Sequence, residues 1–230
     1  VILAIGEDFE ASLSIAAIAR NCAHKGRVCG LHFFNPVPLM KLVEVIAAPG
    51  TSAATAARAT ALSQALGKVP VSVKDGPGFL VNRVLSPYMM EAVRRYAEGT
   101  PRDKIDQAAL KFGMPMGPLE LMDLVGLDIA NKVGAELGSD TPQVNPLSRL
   151  VSAGKLGKKT GEGFYVWENG KPKREDTVYD VAELDRLGRE LIKPMLDECE
   201  RALADGIVAN ADHVDAGVIF GTGFAPFRGG

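Results

Sequence analysis

Cysteine is sparse in these 230 residues: Cys22, Cys29 and Cys199 form an odd set with no Cys-x-x-Cys. That excludes a disulfide framework and predicts reduced core thiols of a cytosol-like compartment. An excess of one charge is also missing. Lys and Arg total 26 against 28 Asp and Glu, a net charge of -2, which argues against a nucleic-acid protein working by broad phosphate neutralisation. No apolar run approaches the ~18 to 20 residues that span a bilayer, so no membrane helix is expected. The sequence holds no phosphate-binding P-loop and no nucleophile elbow. His24 and His213 have no acidic or cysteine partner at ligand spacing, so no metal site is expected. What remains is ordinary globular composition, 47% hydrophobic and 23% charged. The chain opens on Val1 with no basic segment or cleavage site of a signal peptide, and closes on Phe227-Arg228-Gly229-Gly230. Both ends read as cuts, and a piece of a longer polypeptide is expected.

Apolar patterning divides the chain. As far as about Gly76, short runs rich in Val, Ile and Leu (Val1–Ala4, Val28–Phe33, Leu42–Ile46, Val69–Val73) alternate with helical stretches at Ser12–His24 and Thr51–Leu66. Thr51 or Ser52 can cap the second of these. Alternation of this kind predicts an α/β layer. From residue 77 to about 168 the pattern is helical. Val84, Leu85, Tyr88, Met89, Ala92, Val93 and Tyr96 mark one helix face, and further helices are predicted over Asp103–Phe112, Pro118–Leu137 and Pro146–Ala153. A strand is predicted at Phe164–Trp167 and an exposed loop at Asn169–Asp176.

Residues 180–230 echo the helical part. Pro87-Tyr-Met-Met-Glu91 runs to Gly99, and Pro194-Met-Leu-Asp-Glu198 runs to Gly206, with one Pro-to-Gly offset. Ile105-Asp106 then matches Val214-Asp215, Phe112-Gly113 matches Phe220-Gly221, and Gly117-Pro118 matches Ala225-Pro226. Landmarks shared in one order predict a duplicated helical module, with the apolar stripes of the two copies packed face to face.

Two polar residues stand out in the apolar runs. His32 sits where a strand meets a loop, in Leu31-His32-Phe33-Phe34-Asn35-Pro36. Glu44 shares a strand face with Leu42 and Ile46. A carboxylate there is costly to bury unless paired. A histidine on the preceding strand is the obvious partner, and a carboxylate holding one ring nitrogen leaves the other free as a base. Singly, each residue reads as structural; together they read as a catalytic dyad. Asn82 either caps the long helix or hydrogen-bonds a ligand. Asn35 can simply order its loop. Lys158 and Lys159 form a solvated basic turn or an anion contact. Tyr165 and Trp167 read as packing.

Longer segments carry a family resemblance. Gly30-Leu-His-Phe-Phe-Asn-Pro-Val-Pro-Leu-Met-Lys-Leu-Val-Glu-Val-Ile46, Val73-Lys-Asp-Gly-Pro-Gly-Phe-Leu-Val-Asn-Arg83, Gly113-Met-Pro-Met-Gly-Pro-Leu-Glu-Leu-Met-Asp-Leu-Val-Gly-Leu-Asp128 and Gly157-Lys-Lys-Thr-Gly-Glu-Gly-Phe-Tyr165 resemble the 3-hydroxyacyl-CoA dehydrogenases. The second helical copy resembles the multifunctional enzymes of fatty-acid β-oxidation. The resemblance implies an α/β remnant of a Rossmann-type NAD domain (1–76), a first helical domain (77–168) and a second, truncated helical repeat (180–230). It implies NAD-dependent oxidation of an (S)-3-hydroxyacyl-CoA to the 3-oxoacyl-CoA. His32 would be the general base with Glu44 as partner. Asn82 and Ser12 would contact substrate, with Asn35 and Lys159 at the cofactor. Expected partners are an acyl-CoA and either a second copy or a thiolase subunit, in the cytoplasm.

Two departures qualify this. The Gly-x-Gly-x-x-Gly turn of the family's NAD domain is missing. Where the family carries a pair of serines, this chain reads Ala11-Ser12. The competing reading is therefore a catalytically incompetent scaffold or dimerisation fragment, and a second rival is a different hydroxy acid as substrate.

Overall fold

The computed structural model describes residues 2–6, 14–137 and 145–228. Val1–Val84 and Glu198–Gly230 form one compact unit and Leu85–Asp197 a second.

The first unit is built on a four-stranded sheet in the order β1 (Ile2–Gly6), β2 (Val28–Phe33), β3 (Leu42–Ala47), β4 (Val69–Lys74). β1 runs parallel to β2 and β3 parallel to β4, while β2 and β3 are antiparallel. Val28, Cys29, Leu31, Leu42, Val43, Val45 and Ile46 are all buried. Burial at consecutive positions means that both faces of these strands are covered, which is why they read as unbroken apolar runs. Helix α1 (Ile15–Ala19) packs on β2, and α2 (Ala53–Ala65) on β2, β3 and β4. α1 is shorter than the predicted Ser12–His24: Arg20 to Lys25 are exposed or half-buried and supply no apolar face to extend it. α2 starts as predicted at Ser52, whose hydroxyl accepts the Thr55 N–H at 3.2 Å. Of the three cysteines, all free, only Cys29 is a core thiol; Cys22 and Cys199 are half-buried. Burial pushes the Cys29 thiol up to about 11 and Cys199 up to about 12.

Helix α3 (Val81–Ala97), with Pro87 inside it, starts in the first unit and continues into the second. The second unit also holds α4 (Arg102–Phe112), α5 (Pro118–Val125), α6 (Leu127–Glu136), α7 (Pro146–Ser152), the hairpin β5 (Trp167–Glu168) and β6 (Lys171–Pro172), and most of α8 (Val181–Ala204). α8 approaches α4 at Gly188, where a Cβ would lie 2.6 Å from the Ala108 carbonyl oxygen. Lys104 and Glu183 close the same contact at 2.7 Å.

Two predicted elements differ from the structure. The helix predicted over Pro118–Leu137 is two helices broken at Gly126, whose φ of 110° an α-helix cannot propagate. The strand predicted at Phe164–Trp167 begins only at Trp167, because the Phe164 and Tyr165 N–H groups donate to the Asp123 carboxylate, at 2.8 and 2.9 Å, and not to a strand. Within the expected loop, Asn169 (φ 52°) and Gly170 (φ 77°) make the two-residue turn between β5 and β6.

Two buried carboxylates organise this unit. Asp106 accepts the N–H groups of Leu119 and Glu120, each at 3.0 Å, and the Tyr165 hydroxyl at 2.9 Å. Asp123 takes the Phe164 and Tyr165 amides and the Trp167 indole N–H, the last at 3.0 Å. Burial pushes the Asp106 carboxyl up to about 7 against the donors that hold it down. The space around both is closed: a Cβ at Gly117 would sit 2.1 Å from Asp106 Cγ, and one at Gly163 would sit 2.0 Å from Asp123 Oδ1. Among the described residues no helix is long and apolar enough to cross a membrane.

Asp106→Ala strands three donors, two of them buried, and is expected to lower unfolding stability by about 3 kcal/mol, read as a lower urea midpoint with unchanged slope. A shift under 0.5 kcal/mol contradicts the role given to this carboxylate.

Candidate active site

β2 and β3 set His32 directly opposite Glu44 in the antiparallel register. Side chains of directly opposed residues leave the sheet on the same face. His32 Nδ1 and Glu44 Oε2 lie 2.6 Å apart, with the two residues 1% and 0% exposed. The other carboxylate oxygen, Oε1, accepts the Leu80 N–H at 3.0 Å and the Val81 N–H at 2.9 Å. Those amides open α3, so Glu44 caps from a neighbouring strand a helix whose N-terminal dipole favours negative charge. A carboxylate that accepts two amides through one oxygen offers its other oxygen as an acceptor as well. The Nδ1 of His32 is therefore the N–H, and Nε2 carries the lone pair.

Nε2 is buried and has no hydrogen-bond partner among the described residues. The imidazole packs against two aromatic rings, 4.5 Å from that of Phe34 and 5.6 Å from that of Phe79, centroid to centroid. Phe79 holds φ 51°, a costly conformation for a bulky residue, directly before the two amides that bind Glu44. Such a site, a fixed tautomer with its basic nitrogen in apolar surroundings, can take a proton from a bound hydroxyl.

The other predicted residues fall out differently. Asn82 follows Val81 in the first turn of α3, half-buried. Asn35 is exposed in the loop that leaves β2. Lys159 belongs to the second unit, its ammonium paired with Asp128 at 2.6 Å. Lys158 stands 5.4 Å over the Trp167 ring, a cation–π contact in keeping with packing. Ser12 lies outside the described residues. Sequence reasoning missed the Leu80 and Val81 amides, which no residue type announces. It also gave Asp75 no role of its own. The Asp75 carboxylate accepts the Ile15 N–H at 3.1 Å, the Ala16 N–H at 2.8 Å and the Ser14 hydroxyl at 2.9 Å, tying the start of α1 to the end of β4.

Comparison with known proteins agrees with this architecture. The family profile described as "3-hydroxyacyl-CoA dehydrogenase, NAD binding domain" matches residues 10–76. That described as "3-hydroxyacyl-CoA dehydrogenase, C-terminal domain" matches residues 78–167. The chain belongs to the 3-hydroxyacyl-CoA dehydrogenase family. Its similar relatives include the fatty acid oxidation complex subunit alpha of Vibrio vulnificus, 41% identical over 231 residues, which cover 95% of this chain and 33% of the relative. The chain thus spans about a third of the length of such curated relatives. Among solved structures, it is similar to 3-hydroxybutyryl-CoA dehydrogenase from Escherichia coli K12, with a TM-score of 0.81, 26% identity, and 95% of this chain and 66% of that chain covered. For (S)-3-hydroxybutyryl-CoA dehydrogenase from Ralstonia eutropha the TM-score is 0.67 and the identity 40%, covering 74% and 61%.

Glu44→Gln tests the tautomer. A glutamine whose oxygen stays with the two amides turns its NH2 toward Nδ1, so the ring proton moves to Nε2 and the basic lone pair is lost. Nitrogen-15 shifts of the His32 ring read this directly; an unchanged Nδ1–H tautomer contradicts the assignment.

Proposed function

We propose that this chain is the reacting core of an NAD-dependent (S)-3-hydroxyacyl-CoA dehydrogenase acting within a longer polypeptide. The observation that carries the reading is the buried His32–Glu44 pair with the basic nitrogen of His32 unpartnered. His32 Nε2 takes the proton of the substrate's C3 hydroxyl. Glu44, held by Leu80 and Val81, offsets the charge of the imidazolium that forms. Asn82 and Ser12 orient the substrate. NAD, when bound, supplies the acceptor for the hydride that leaves C3, so that C3 becomes the carbonyl of a 3-oxoacyl-CoA. The fit to NAD is partial: Asn35, at the exposed end of β2, and Lys159 would serve the cofactor, but the glycine turn that seats a pyrophosphate on a helix N-terminus is not in this sequence.

The helical modules form a duplicated pair, 77–168 and 180–230, following the NAD-domain portion at 1–76 along the chain. Supporting this, α3 and α8 each carry an interior proline, Pro87 and Pro194. Each helix is followed by a left-handed glycine, Gly99 at φ 95° and Gly206 at φ 64°, and then by a second helix, α4 or α9 (Ala211–Thr222). The name of the relatives, a fatty acid oxidation complex subunit, supports a place in such a complex; an acyl-CoA as substrate, a thiolase subunit or second copy as partner and a cytoplasmic location belong to the proposal.

In the full-length polypeptide, His32→Gln is expected to lower turnover of a 3-hydroxyacyl-CoA by at least about 100-fold; near-normal turnover removes His32 from the base role. A second reading is a scaffold without chemistry of its own. NADH titrated into the full-length polypeptide separates the two, micromolar binding favouring the enzyme and no binding the scaffold.

A further inference from the structure

Helix α9 lies far along the chain from the dyad, yet it packs on β3 and β4 in the same compact unit. Its contact with the segment that opens α3 is close. A Cβ at Gly217 would lie 2.5 Å from Leu80 Cδ2. One at Gly221 would lie 2.7 Å from Val81 Cγ2 and 2.9 Å from Leu42 Cδ2. Leu80 and Val81 are the residues whose N–H groups hold Glu44 Oε1. The run leading into α9 is fastened to the same place. The Lys74 N–H donates to the Ile207 carbonyl at 2.8 Å. Arg83, two residues past Val81, pairs with both Glu198 and Asp205 at 2.6 Å.

We propose that α9 is a positioning element for the dyad, with Gly217 and Gly221 as positioning residues. The two glycines, one turn apart, leave room for Leu80 and Val81 to seat their side chains against the helix. That seating sets where their amides point, the amides set the Glu44 carboxylate, and the carboxylate sets the His32 ring. A methyl group at either position pushes on the segment and loosens the Nδ1–Oε2 contact. This inference rests on the dehydrogenase reading for its consequence in catalysis, but the mechanical link does not.

The test uses Gly217→Ala, whose added methyl presses chiefly on Leu80 Cδ2, and Gly221→Ala, whose methyl is wedged between Val81 and Leu42. The readout in this chain is the low-field His32 Nδ1–H proton resonance, which reports its hydrogen bond to Glu44. Both variants are expected to move it upfield, Gly221→Ala further. Leu80→Val, which deletes the clashing Cδ2, is expected to return the Gly217→Ala signal toward its original position, as a directly coupled pair requires. Asn210→Ala is the control. It removes the α9 N-cap, which accepts the His213 N–H at 3.0 Å, and so weakens the helix without touching Leu80 or Val81. Its resonance is expected to stay in place while its melting temperature falls. In the full-length polypeptide, Gly217→Ala is expected to lower kcat by roughly 10- to 100-fold with KM little changed, since small misplacements of reacting groups cost that much. A resonance unmoved in both glycine variants, or moved equally by Asn210→Ala, overturns the proposal. A full-length parent with no dehydrogenase activity would instead defeat the functional reading, and the ring-proton result would still decide the link from α9.

Discussion

Glu44 is a carboxylate with no exposed surface, and its position among apolar strands is tolerable only because every direction of its charge is answered. One oxygen holds the His32 ring and the other holds two amides at the start of α3. Central strand, catalytic ring and helix entry are thereby tied to one ion. Removing the ring would leave a buried charge with less support. Removing the amides would free the carboxylate to drift from the ring. The site's chemistry and the local fold thus share a single electrostatic constraint.

The second unit uses the same device without an evident chemical purpose. Asp106 and Asp123 each gather three donors, mostly backbone amides from chain segments distant in sequence. Their neighbours Gly117 and Gly163 are glycine because a Cβ would collide with the carboxylate. The glycines of Gly157-Lys-Lys-Thr-Gly-Glu-Gly163 read as a flexible basic turn. Gly157 and Gly163 belong instead to a tightly filled core around Asp123, in which an acidic side chain takes the place of a partner strand, while Gly161 has open space around it.

Much of the first unit was legible. Unbroken Val, Ile and Leu runs mark strands covered on both faces, and a histidine and a glutamate interrupting two consecutive runs stand out as a pair. Ser52 before an Ala-rich stretch announces a cap. The second unit was less legible. Apolar residues continue across Gly126, so periodicity runs through a break that only a positive φ explains. Asn169-Gly170 is a strong hairpin signal, but the flanking strands are two residues each and too short to show alternation.

The sequence by itself determined which residues could be buried together and which two polar groups had to find partners, because apolar patterning and the cost of an unpaired charge are local properties. Only the tertiary structure decided what answered those charges. The amides of Leu80 and Val81, and the α9 glycines packed against their side chains, come from segments far from Glu44 in sequence. A backbone N–H is the same group in every residue but proline, so nothing in the order of side chains marks which one a buried carboxylate will meet.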